Sequence, residues 1–82
     1  MKRGKGEIIT CILGICTDGA NKTKIVYQAN LNFKTVNPYL ELLSKNGLIE
    51  ARRGSGIVYE TTDKGIEVLE NFRWIQSELS GL

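Results

Sequence analysis

Residues 21–49 read NKTKIVYQANLNFKTVNPYLELLSKNGLI, and the asparagines in this stretch decide how the chain is parsed. Two short amphipathic segments lie on either side of Asn30-Leu31-Asn32, and Asn46-Gly47 closes the second. Asn21 and Asn32 each precede a run of helical periodicity, where a side-chain oxygen can accept a loose backbone N–H. Asn30 suits a left-handed terminating conformation, and Gly47 is free to take positive φ. Helices are therefore expected over 22–29 and 33–45, with Ile25, Val26, Val36, Leu40 and Leu43 facing a core. Both begin with lysines and carry no acid until Glu41, so their N-terminal ends can face a polyanion. The pair reads as a helix-turn-helix.

Pro38 leaves two readings of the second helix. Its ring removes one backbone hydrogen bond and kinks or loosens a helix that continues through it. Alternatively Asn37 caps a shorter helix beginning at Pro38. The longer helix is favoured, because Val36, Leu40 and Leu43 keep a single stripe.

On the N-terminal side, Glu7 to Thr17 carries Ile8, Ile9, Ile12, Leu13, Ile15 and Cys16, apolar around most of a helix, which predicts a central position. Gly14 within it costs about 1 kcal/mol of propensity and implies close approach of a neighbouring helix. Ala20-Asn21 has room only for a bridge-like strand. On the C-terminal side, residues 48–53 and 57–61 are strand-like and joined by Gly54-Ser55-Gly56, a hairpin with Arg52 and Arg53 projecting outward. Alternation is read as turning Leu48 or Ile49, together with Val58, toward the core, and Tyr27, Phe33 and Tyr39 are read as core aromatics. Thr62 can cap a final helix in which Val68, Phe72, Ile75, Leu79 and Leu82 follow a heptad seam, with Ile66 and Leu69 turned toward the domain. Such a seam either pairs two copies or folds back on its own domain; pairing is favoured.

The fold expected is α+β and mostly α: helix, small strand, helix-turn-helix, two-stranded wing and closing helix. Its parts are a flexible basic arm at 1–6, a DNA-binding domain at 7–62 and a dimerisation helix at 63–82. Eighty-two residues make one small domain, too short for a core plus a roomy catalytic cleft. No apolar run approaches the roughly 18 residues of a membrane span, so no membrane association and a cytoplasmic, nucleoid-associated location are expected. Cys11 and Cys16 fall on different faces of one helix, poorly placed for a disulfide. With no histidine, a zinc site would need carboxylates for half its ligands, which structural sites seldom use. Neither metal nor other cofactor is expected. The chain also lacks a Ser/His/Asp set and a phosphate-binding glycine loop, so it is not read as an enzyme, and no small-molecule ligand is evident.

The net charge is only +2, but residues 1–40 hold six basic side chains against two acids and residues 41–82 hold five against seven. Charge segregated in this way is the footprint of a polyanion-binding face.

Several runs are familiar as residues: Gly19-Ala20, Lys22-Thr23, Ile25-Val26-Tyr27-Gln28-Ala29-Asn30-Leu31-Asn32 and Thr35-Val36-Asn37-Pro38-Tyr39-Leu40, then Gly47-Leu48-Ile49, Tyr59, Thr61-Thr62 and Lys64-Gly65. Over almost all of residues 8–70 the chain resembles the archaeal ten-kilodalton winged-helix DNA-binding proteins, the 10a type, within the winged helix-turn-helix regulators. Gly-Leu-Ile and Thr-x-Lys-Gly are common among winged helices; Tyr-Gln-Ala-Asn-Leu-Asn and Asn-Pro-Tyr-Leu are more particular. The resemblance implies a homodimer whose C-terminal helices form an antiparallel coiled coil, with a winged domain at each end on duplex DNA. The closing helix is a few turns shorter than the family pattern, though the seam survives.

The expected division of labour follows from the chemistry of duplex DNA, where phosphates supply most affinity and base edges supply sequence. Lys22, Thr23 and Lys24 would hold phosphate at a helix N-terminus. Asn32, Lys34, Thr35 and Asn37 would face the major groove. Arg52 and Arg53 would take backbone or a narrow minor groove, with Lys2, Arg3 and Lys5 adding phosphate contacts. Val68, Phe72, Ile75 and Leu79 would form the dimer interface. A transcriptional regulator is the leading function; the alternatives are a general chromatin-coating protein and a winged-helix adaptor for other proteins.

Overall fold

The computed structural model describes residues 4–79. In chain order these form α1 (Lys5–Ile15), a 3-10 turn (Cys16–Asp18), α2 (Lys22–Ala29), α3 (Phe33–Lys45), β1 (Ile49–Arg53), β2 (Ile57–Thr61) and α4 (Asp63–Leu79). The helix expected from Glu7 starts earlier, so Lys5 and Gly6 belong to its first turn rather than to an arm. Lys2 and Arg3, and Leu82 at the end of the seam, lie outside the described residues. At Gly19 (φ 85°) the chain reverses, and Ala20 exchanges two backbone hydrogen bonds with Tyr59, of 2.9 and 2.8 Å. The short first strand is thus a single bridge, on the free edge of β2.

α1 is the central element. Ile12 and Leu13 are fully buried and Ile8 nearly so, meeting Ile25 of α2, Val36 and Leu43 of α3, Ile49 of β1 and Leu69 of α4 in one core. Each such side chain contributes roughly 1.5–3 kcal/mol of burial free energy. The buried Thr61 hydroxyl donates to the Leu13 carbonyl at 2.7 Å, which ties β2 to the C-terminal end of α1 without leaving a polar atom unpaired. Gly14 does admit a neighbour: a methyl there would lie 3.2 Å from the Arg73 guanidinium, and one at Gly6 would lie 3.4 Å from the Phe72 ring. Both neighbours are on α4.

α3 runs unbroken through Pro38, whose missing N–H leaves the Lys34 carbonyl without its helical donor. The turn after α3 is welded to the root of α4. Gly47 takes φ 72°, the Thr62 hydroxyl donates to its carbonyl at 2.6 Å, and Lys64 Nζ donates to the Asn46 carbonyl at 3.0 Å. The Gly65 N–H in turn donates to Thr62 Oγ1 at 3.1 Å, the expected cap of α4. Gly65 has no room for a side chain, because a Cβ would be driven into the Leu48 carbonyl oxygen and the Thr61 methyl.

Two expectations about the core are corrected. In the antiparallel ribbon Ile49 pairs with Thr61, Ala51 with Tyr59 and Arg52 with Val58, so the inward set is Ile49, Tyr59 and Thr61. Val58 lies on the other face and is 40% exposed, resting over Gly19 instead of entering the core. Tyr27 is 86% exposed and Phe33 48%, leaving Tyr39 as the one of the three packed against the core. Tyr27 stands opposite Ile25 and Ala29 on α2, and helical geometry overrides the usual preference of aromatics for the interior.

Candidate nucleic-acid interface

The helix-turn-helix is held by local hydrogen bonds that the sequence places. Asn21 Oδ1 accepts from the Lys24 N–H at 2.8 Å and Asn32 Oδ1 from the Thr35 N–H at 2.7 Å. Between them Asn30 adopts the left-handed conformation (φ 55°), and the Leu31 N–H reaches the Val26 carbonyl at 3.0 Å. Thr23 and Lys24 are exposed in the first turn of α2, with Lys22 half-buried beside them. Three orientable cationic or hydroxyl groups thus surround a helix N-terminus, whose dipole favours anions.

On α3, Val36, Leu40 and Leu43 occupy the buried stripe, which turns Lys34, Asn37 and Glu41 outward. Thr35 is half-buried, on the flank of the helix away from Asn37, so the four groove candidates do not converge. Asn32 commits its carboxamide oxygen to the cap. Bidentate pairing with adenine needs both amide atoms, and among the two asparagines on this face Asn37 alone has both to offer.

The wing arginines part company. Arg52 pairs across the ribbon with Val58, and its guanidinium contacts Glu60 Oε1 at 2.5 Å on the face that carries Glu50. Arg53 shares the opposite face with Ala51 and Tyr59. Those two residues line a recess of about 330 Å³ together with Lys22 of α2 and Asn37 and Glu41 of α3. Arg53 thus lies on the ribbon face that opens toward α2 and α3, whereas Arg52 lines a larger recess of about 590 Å³ with Glu50, Glu60, Asp63 and Lys64. The positive charge of Arg52 is locally balanced there. Both arginines also line a recess at the wing tip with Val58.

α4 divides the four residues of the expected dimer interface. Val68 and Phe72 are half-buried against the chain's own core and α1, while Ile75 is 47% and Leu79 57% exposed. Trp74, on a different face, is 65% exposed. On α3 the sequence marks Glu41 only as the end of the acid-free run, yet it lines the recess with Asn37. On α2 the residue type of Tyr27 suggests the core, although its spacing from Lys24 marks an outward position.

Cys16 is fully buried at the end of α1, and burial pushes its thiol from 9.0 up to about 11, against a smaller downward pull from Lys24. Cys11 is half-buried, and both thiols are free. Among the described residues no group of three His, Cys, Asp or Glu side chains could hold a metal ion, and no helix is long and apolar enough to cross a membrane.

The chain is similar to known proteins over most of its length. The model of a winged helix-turn-helix family matches residues 2–80. The crystal structure of Sso10a-2, a DNA-binding protein from Sulfolobus solfataricus, superposes with a TM-score of 0.81 at 30% identity, covering 96% of this chain and 87% of that one. The uncharacterized protein MJ0287 of Methanocaldococcus jannaschii is 35% identical over 65 residues, which is 78% of this chain. This chain spans 64% of that relative's length.

Proposed function

The chain belongs to the winged helix-turn-helix family, and from that premise we propose that it binds duplex DNA as a dimeric transcriptional regulator. The 10a-type resemblance read from the residues is borne out by the superposition on Sso10a-2. The observation that carries the reading is the recess between α2, α3 and the wing where Lys22 meets Asn37, with Thr23, Lys24 and Lys34 exposed near the N-terminal ends of the two helices and Arg53 on the ribbon face of Ala51 and Tyr59. A protein that reads DNA needs phosphate holders flanking a groove-facing helix, and this surface supplies both. Lys22, Thr23, Lys24 and Arg53 hold phosphate; Lys34 and Asn37 reach base edges, with the amide of Asn32 at the margin.

Titration of duplex DNA over a range of salt tests the reading. Each phosphate contact contributes about −0.9 to the slope of log K against log salt, so neutralising Lys22 and Lys24 flattens it by roughly 2. Binding that ignores salt, or no binding at low salt, overturns the reading. Selection of bound duplexes against random DNA separates a regulator from a chromatin-coating protein.

The dimer part of the proposal rests on Ile75 and Leu79, apolar side chains left in solvent on one side of α4. Pairing with a second α4 removes them from water. A nucleoid-associated location follows from DNA binding and is part of the same proposal. The adaptor reading has Trp74 in its favour, and recovery of a protein partner with the basic face unoccupied by DNA would support it.

A further inference from the structure

Glu41 is out of place on a surface that merely attracts phosphate. It sits one helical turn beyond Asn37, exposed on the same side of α3, and lines the recess shared with Lys22 and with Ala51 of the wing. No ion pair engages it among the described residues. A carboxylate facing a polyanion lowers affinity for every sequence alike unless a donor meets it. In the major groove the donors are the cytosine N4 and adenine N6 amino groups, and adenine places the N7 acceptor next to its donor, where it repels a carboxylate.

Resting on the duplex-DNA reading above, we propose that Glu41 is a sequence-discriminating residue, its carboxylate accepting a hydrogen from the N4 amino group of a cytosine in the major groove. Asn37 and Glu41 then read neighbouring base pairs, since one helical turn advances about 5.4 Å along α3. Glu41 discriminates by repelling what it cannot pair with, and this selects for a reader over a coater. The bland alternative is an intrahelical pair with Lys45, four residues on, which would support the helix and have no bearing on base preference.

Selection of bound duplexes with the full chain, run in parallel for wild type, Glu41→Gln and Glu41→Ala, tests this. The wild type is expected to prefer cytosine at one position by roughly tenfold, the scale of one good base contact. Glu41→Gln, whose amide offers both a donor and an acceptor, moves that preference to adenine. Glu41→Ala abolishes it and raises affinity for random duplex by up to about fivefold, the scale of one screened surface charge. An unchanged base preference in both variants overturns the inference while leaving DNA binding intact. Loss of thermal stability with no change in preference assigns Glu41 to Lys45 and overturns it equally. Failure of the wild type to bind any duplex overturns the duplex-DNA reading itself, and this inference with it.

Discussion

α3 and α4 are both amphipathic, and they finish their surfaces in opposite ways. α3 buries Val36, Leu40 and Leu43 and turns Lys34, Asn37 and Glu41 to solvent along its outer side. α4 buries Gly65 and Leu69 near its root, half-buries Val68 and Phe72 and then runs out of domain, so that Trp74, Ile75 and Leu79 are exposed. The first helix buries a complete apolar stripe, although Phe33 (48%) and Leu42 (47%) stay partly in solvent, and it carries a polar face that asks for a charged ligand. The second has a complete interface over its first half and an apolar remainder that asks for more protein. The hydrogen bonds from Thr62 and Lys64 to the end of α3 join the two at a fixed angle, within a molecule 46 Å long and 28 by 19 Å across.

The largest effect is expected where the two helices are joined. Gly65→Ala forces a methyl into the Leu48 carbonyl and the Thr61 side chain, and overpacking at a site bounded by backbone costs about 3 kcal/mol. Gly54→Ala, at the open wing tip, serves as the control and changes stability by no more than about 0.5 kcal/mol. Urea unfolding measures both, and equal midpoints would mean that α4 does not pack on the α3–β1 turn as described.

Next in size is the apolar remainder of α4. Ile75→Asp replaces a side chain already 47% exposed, so the monomer fold should tolerate it. In a paired seam the same change buries a carboxylate, and the dimer is expected to weaken by about 100-fold, or roughly 2.7 kcal/mol. Phe72→Asp differs, because Phe72 also covers Gly6 of α1, so both dimer and monomer should lose stability. Sedimentation with thermal melts separates the two variants. A wild type that stays monomeric at micromolar concentration assigns the seam to its own chain.

The contrast between the helices also marks what could be read without a structure. Asn21, Asn32, Gly47 and Thr62 were legible because a cap is a local event, decided within four residues of itself. The α3 stripe was legible for the same reason, and so was the inward turn of Leu69, whereas Ile66 is only half-buried and lines the recess beside Thr62 and Asp63. The wing was not. Period-two alternation says that one set of residues faces inward but not which, and the choice between Val58 and Tyr59 depends on the register across Gly54-Ser55-Gly56 and on the Ala20 bridge. The division between Arg52 and Arg53 is the same ambiguity seen from the ligand's side. Phe72 belongs to a heptad in sequence and to α1 in space, and only the distant Gly6 reveals the second role.

A smaller effect belongs to the core beneath α2. The Cys16 thiol is held up at about 11 from an ordinary 9.0, chiefly because burial disfavours the thiolate. The neutral form is the one the fold accepts, so this contribution is whole below pH 9 and fades as pH rises toward the folded value. By pH 10 roughly 1.4 kcal/mol should be gone. Cys16→Val removes the titrating group, and comparison of the two denaturation midpoints from pH 8 to 10 should show that increment in the wild type alone. At neutral pH a thiol reagent should label half-buried Cys11 well before Cys16.

The smallest effect tests the division of the wing, and with it the polar half of the comparison. Arg53 shares the ribbon face of Ala51 and Tyr59, which open onto α3, so Arg53→Ala should weaken duplex binding by about fivefold and flatten the salt slope by roughly 0.9. Arg52 is already paired with Glu60 on the far face, and an exposed pair of this kind contributes about 0–1 kcal/mol to stability. Arg52→Ala should therefore leave the salt slope unchanged and lower the melting temperature only slightly. The double change Arg52→Ala with Glu60→Ala distinguishes a structural pair from a DNA contact. If the pair is structural, the second substitution adds little to the first in stability and nothing to the salt slope. If Arg52 instead leaves Glu60 for a phosphate when DNA arrives, Glu60→Ala alone should tighten binding, because it frees that arginine, and the two faces of the wing would then act as one.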